Sequence, residues 1–99
     1  MNAKQLKDKA NTLRIHVLDA IYQAGTGHIG GDFSVIDILT CLYNGVMDVS
    51  PETVDDPDRD RFVLSKGHCS PVLYSTLAHK GFFPVEDLKT FRKSDSYLQ

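Results

Sequence analysis

Asp60-Arg61-Phe62-Val63-Leu64-Ser65-Lys66-Gly67-His68-Cys69-Ser70-Pro71 is the stretch that decides the fold. Arg61 to Ser65 reads as a short apolar strand running straight into a Lys-Gly-His turn. Ser70 then supplies an N-cap and Pro71 a first-turn proline for a helix from about Pro71 to Lys80, closed at Gly81. An apolar strand feeding a helix is the pattern of a parallel α/β sheet, whose ligands gather at the C-terminal ends of the strands. The turn therefore sits where chemistry is expected.

A second glycine-histidine turn stands upstream, Gly25-Thr26-Gly27-His28-Ile29-Gly30-Gly31-Asp32-Phe33. Glycine at this density permits positive φ and close approach to the backbone. Ser34 reads as the N-cap of the next helix, with Asp37 completing a capping-box-like pair. That helix, about Val35 to Val46, places Val35, Ile36, Leu39, Leu42, Tyr43 and Val46 on its buried side, with Cys41 as a small apolar member. Both turns set an imidazole at the start of a helix, where backbone amides and the helix dipole receive an anion.

The remaining elements follow from periodicity. Leu6, Ala10, Leu13, Val17, Ile21 and Ala24 trace one face of a helix from about Lys4 to Ala24, ended by Gly25. Ile15, Leu18 and Tyr22 form a second apolar strip beside it, which implies burial on more than one side. Asp48 to Asp60 holds two prolines and five aspartates and reads as an exposed connection rich in turns. A last helix is expected from about Val85 to Arg92, burying Val85, Leu88 and Phe91. Four helices and one strand leave that strand without a ladder partner, so the partners are expected beyond Gln99 or on another chain.

Composition narrows the function. The 99 residues suit one small domain, and 41% hydrophobic with 24% charged residues is ordinary for a globular protein. A formal net charge of -2 argues against nucleic-acid or acidic-membrane partners. Cys41 and Cys69 make no disulfide framework. No apolar run approaches a membrane span and the first residues lack a signal peptide's apolar core, so a cytoplasmic protein is expected. His16 and His79 read as ordinary helix histidines, His79 well placed as a cation near a helix C-terminus. Lys66 reads more readily as a solvated lysine after a strand than as added positive charge at the turn. Neither turn matches a P-loop or dinucleotide fingerprint, and no histidine spacing makes a metal site.

Taken in order, these segments resemble the N-terminal thiamine-diphosphate domain of transketolases. Leu13-Arg14-Ile15 with Ala24 through Gly31 is similar to the family's first helix and substrate turn, and Ser34 through Tyr43 to its second helix. Asp60 through His68 is similar to its strand and Gly-His turn, while Pro71-Val72-Leu73-Tyr74 and Leu88-Lys89-Thr90-Phe91-Arg92 resemble the helices that follow. Ile29, in place of the proline of many full-length members, and Ser65-Lys66-Gly67-His68 look closer to the bacterial enzymes split into two subunits.

The resemblance implies transfer of a two-carbon ketol unit between sugar phosphates in pentose phosphate metabolism, with thiamine diphosphate and Mg2+ as cofactors. It implies catalytic roles for His28 and His68. His28 would bind the donor sugar, and His68 with Gly67 would lie against the cofactor diphosphate. It implies no metal ligand in this chain: the family's Gly-Asp-Gly segment is absent, since Gly31-Asp32 is followed by Phe33. The activating glutamate lies in another domain. Residues 1–99 are thus expected to be a partial domain of α/β class, without tight cofactor binding or turnover alone. Its expected partners are further copies and a complementary C-terminal subunit. Deoxyxylulose-phosphate synthase or dihydroxyacetone synthase types, or a non-catalytic helical interaction module, are the alternatives.

Overall fold

Asn2 starts the first helix by a reciprocal exchange: its Oδ1 accepts from the Gln5 backbone N–H at 2.8 Å, and Gln5 Oε1 accepts from the Asn2 N–H at 2.9 Å. In the computed structural model, which describes residues 1–99, helix α1 then runs Ala3–Ala24 and ends at Gly25, whose φ of 75° is left-handed. Helix α2 spans Ile29–Cys41 and widens into a π-type turn over Leu42–Val46. Helix α3 spans Ser70–Lys80, preceded by a 3-10 turn at Gly67–Cys69 and ended by left-handed Gly81.

The three helices pack on one another around Leu13, Val17, Ile21, Ile36, Leu39, Tyr43 and Val72. Ala10, Leu13, Val17 and Ile21 are buried on the face their spacing predicts. The neighbouring strip behaves differently, with Ile15 64%, Leu18 45% and Tyr22 82% exposed. Nothing in this chain covers it. A smaller cluster of Ala78, Leu88 and Leu98 anchors the C-terminal segment to α3.

Three expectations are corrected, and one stands in part. Arg61–Leu64 forms no strand, because a ladder needs a second strand and this chain supplies none; Val63 is 82% exposed. The chain is helix-rich, as expected, but the one strand of the expected α/β sheet is not formed within it. Helix α2 begins at Ile29 rather than beyond Ser34, so Gly30 and Gly31 are helical and Ser34 is no cap: its Oγ bonds the Gly31 carbonyl at 2.9 Å. Asp37 pairs instead with Arg14 on α1 at 3.0 Å, an exposed ion pair worth at most about 1 kcal/mol.

The other differences are local. The π-type turn shifts the register of its residues, which carries Val46 to 71% exposure, and Cys41 is likewise exposed. The last predicted helix is a 3-10 segment over Val85–Thr90 that still buries Leu88, with Phe91 buried just beyond it. The acidic connection closes on itself: Asp60 Oδ2 accepts from the Asp48 N–H at 2.6 Å, and Asp56 Oδ1 from the Asp58 N–H at 2.9 Å. No helix is long and apolar enough to cross a membrane.

Candidate functional site

His28 stands immediately before α2, and its carbonyl accepts the helix's first backbone bond, from Asp32 N–H at 3.0 Å. His68 lies in the 3-10 turn that runs into α3. The two imidazoles, forty positions apart in sequence, meet at the surface with ring centroids 4.9 Å apart and planes nearly perpendicular at 85°. Both rings are exposed. Gly67 opens the turn, and a side chain added there would meet nothing within 4 Å. The space beside it is free for a ligand.

Three interactions bring the turns together. The first is a close helix-to-turn contact at Gly31. A Cβ on Gly31 would lie 2.2 Å from Cys69 Sγ and 4.0 Å from His68 Nε2, so only glycine lets α2 press this closely on the His68 turn. Cys69 itself is fully buried, and burial, then the nearby Asp32 charge, pushes its thiol pKa up, with Lys66 opposing. It is a packing residue, not a nucleophile.

Lys66 makes the second tie. Its Nζ donates to the Gly31 carbonyl at 2.6 Å and to Ser34 Oγ at 2.6 Å. The solvated lysine expected from sequence is instead a half-buried strut between the two turns.

Asp32 makes the third, and sequence reasoning missed it. Its carboxylate is fully buried, and Oδ1 accepts the Val72 backbone N–H at 2.9 Å. Val72 is the third residue of α3, the position whose N–H an N-cap normally receives. Ser70 therefore does not cap this helix: it is already helical, and the acceptor comes from α2. Oδ2 is buried with no partner. Burial raises the Asp32 pKa to about 6, opposed in turn by the Val72 hydrogen bond and by the charges of His28 and Lys66.

A cavity of about 560 Å³ opens beside the His28 turn, lined among others by Leu18, Tyr22, Gly27 and Ile29. Leu18 and Tyr22 of the uncovered apolar strip of α1 form part of its wall, and the turn from Gly25 to Ile29 forms most of the rest. No cluster of three or more His, Cys, Asp or Glu side chains lies close enough to hold a metal ion. The remaining histidines, His16 and His79, lie away from this site and touch each other.

Known proteins match this chain along nearly all of its length. The 6-deoxy-6-sulfo-D-fructose transketolase subunit SqwG of a Clostridium species is 43% identical over 93 residues, covering 94% of this chain and 34% of that protein. An apulose-4-phosphate transketolase subunit of Phocaeicola vulgatus is 41% identical over 98 residues, 99% of this chain and 35% of its own length. Transketolase 2 of Escherichia coli is 42% identical over 91 residues, 91% of this chain and 14% of that protein. The chain thus spans about a third of the subunits it matches and a much smaller share of the full-length enzyme. A family model described as transketolase, thiamine diphosphate binding domain, matches residues 5–98, and the chain belongs to that family.

Proposed function

We propose that residues 1–99 form part of the N-terminal thiamine-diphosphate-binding domain of a transketolase. That enzyme moves a two-carbon ketol unit from a ketose phosphate to an aldose phosphate. The observation that carries this reading is the meeting of the His28 and His68 rings, 4.9 Å apart, in a chain of this family.

The donor set suits an anionic cofactor. Two exposed imidazoles, the open backbone at Gly67 and the amides of the first turn of α2 all offer N–H groups, the type that diphosphate oxygens accept. When bound, thiamine diphosphate supplies the nucleophilic carbon and the electron sink for carbon–carbon cleavage. His68 would donate to a diphosphate oxygen, with Gly67 leaving room for close approach. His28 would hydrogen-bond the donor sugar and serve there as a proton donor or acceptor.

Magnesium does not fit among these residues. It requires oxygen ligands, and the nearby Asp32 carboxylate is fully buried, with Oδ1 taken by the Val72 N–H and Oδ2 enclosed away from the exposed rings. We assign its ligands to residues outside this chain.

The uncovered strip of Ile15, Leu18 and Tyr22 supports assembly with further protein. The partners in this reading are a complementary subunit, which the names of two relatives suggest, and further copies of the enzyme, in a cytoplasmic setting. The test is reconstitution of the chain within a complete two-subunit enzyme. His28→Ala and His68→Ala should each lower kcat about a hundredfold or more while assembly is unchanged. Near-normal turnover in both variants would refute the reading, as would tight self-association with no active assembly under any reconstitution.

A further inference from the structure

Helices α1 and α3 meet where His16 faces His79. His79 Nε2 lies 2.5 Å from His16 Nδ1, with ring centroids 4.4 Å apart and planes tilted by 43°. Both rings are half-buried. Neither histidine takes part in the site described above. Asp19, one turn beyond His16 on the same face of α1, lines with it a cavity of about 240 Å³ whose other walls include Glu86, Leu88 and Lys89.

An N–H···N bond between two imidazoles needs one ring to donate and the other to accept, so a single proton sits between two lone-pair directions. The same nitrogens are ligands when that proton is replaced by a cation. Burial, then the proximity of His16 and of Lys9, lowers the His79 pKa to about 4, which leaves its ring neutral at pH 7. Metal–imidazole bonds of about 2.0–2.1 Å in a tetrahedral shell set the two nitrogens roughly 3.3 Å apart. The rings reach that spacing by a shift of less than about 1 Å, within ordinary side-chain adjustment.

We propose that His16 and His79 form a two-imidazole clamp for a late first-row divalent ion, pinning α1 to α3. Imidazole nitrogens prefer Cu2+, then Ni2+ and Zn2+, over Mg2+ or Ca2+. No third side chain lies at ligating distance, so water completes the shell. Asp19 and Glu86 on the cavity wall offset the ion's charge, while Lys9 and Lys89 oppose it. The clamp is consequently weaker than a closed structural site and responds to metal supply.

The measurement is calorimetric titration of the metal-free chain with Zn2+ and with Cu2+ at neutral pH, alongside thermal unfolding. It is made in a His28→Gln, His68→Gln background, so that the other histidine pair contributes nothing. One ion per chain should bind, with Cu2+ tighter than Zn2+, and should raise Tm. His16→Gln and His79→Gln should each weaken binding by at least about tenfold, the lower end of what even outer-shell partners contribute at metal sites. Absence of saturable binding to the folded double variant would overturn the proposal. Binding that persists unchanged in either clamp variant, with folding verified by circular dichroism, would overturn it equally.

Discussion

Asp32 on α2 accepts a hydrogen bond from the backbone of Val72 on α3 at 2.9 Å, and through it one carboxylate joins the two helices that present His28 and His68. His28 is four residues ahead of Asp32, and His68 four residues ahead of Val72. The two imidazoles therefore stand at equivalent distances along the chain from a common buried bond. A shift at that bond moves one ring relative to the other.

Removal of the Asp32 carboxylate should be costly. Asp32→Ala leaves the Val72 N–H buried without its acceptor, a loss of about 1–3 kcal/mol. Urea unfolding should show a lower midpoint with an unchanged m value. The His28 and His68 ring resonances should move together in the folded variant. A change confined to His28, the residue on Asp32's own helix, would argue against the bond as a link between the turns.

The same carboxylate sets a pH dependence with a definite sign. Its folded-state pKa of about 6 lies above the ordinary value of 3.8, so the folded chain holds the proton more tightly. That contribution to stability is complete below about pH 4 and is lost as pH rises through about 6. His79 acts oppositely: its folded pKa of about 4 lies below 6.5, so its contribution is present above about pH 6.5 and is lost as pH falls through about 4. Asp32→Asn, which keeps an acceptor for Val72, should gain stability over wild type as pH rises from 4 to 6 and hold that gain above it. His79→Gln should flatten the acid limb. Urea midpoints at half-unit pH intervals separate the two.

These residues also mark what a sequence discloses. The α1 face was legible because Leu13, Val17 and Ile21 obey helical spacing, and Gly25 and Gly81 were legible because left-handed ends favour glycine. The start of α2 was not. Gly30 and Gly31 are poor helix formers, so local propensity placed the entry at Ser34, whereas contacts with Cys69, Lys66 and Val72 extend the helix back to Ile29. The Phe62-Val63-Leu64 run has strand composition, but a strand exists only with a partner, and composition cannot supply one. The Gly-His turns were legible as a pair of motifs. The struts between them, Asp32 and Lys66, bond across more than thirty positions and leave no local signal.

Two adjacent glycines should respond in opposite directions. Gly31→Ala drives a Cβ to within 2.2 Å of Cys69 Sγ, and Cys69 is fully buried, so the turn bearing His68 must yield. Overpacking of this kind costs about 1–3 kcal/mol, more than the roughly 1 kcal/mol that alanine gains over glycine in a helix. Gly30→Ala meets nothing within 4 Å and should gain up to about 1 kcal/mol. Thermal midpoints should therefore fall for Gly31→Ala and rise for Gly30→Ala. Equal changes in both would show that α2 does not press on the His68 turn.

Lys66 provides the sharpest separation of charge from geometry. Its ammonium holds the Gly31 carbonyl and Ser34 Oγ, both at 2.6 Å, and so ties the His68 turn to the first turns of α2. Lys66→Met keeps much of the stem and removes the donors, and should cost about 1.5 kcal/mol, the low end for charge-assisted bonds because the site is partly open to water. It also removes a positive charge that favours ionised Asp32, so the Asp32 carboxyl should titrate higher than in wild type. Carbon-detected NMR of the Asp32 carboxyl reads that shift directly. Lys66→Arg preserves the charge with a different reach, and should hold the carboxyl near its original value while recovering only part of the stability. Stability loss without any movement of the Asp32 titration would mean that Lys66 acts on the turns through its hydrogen bonds alone.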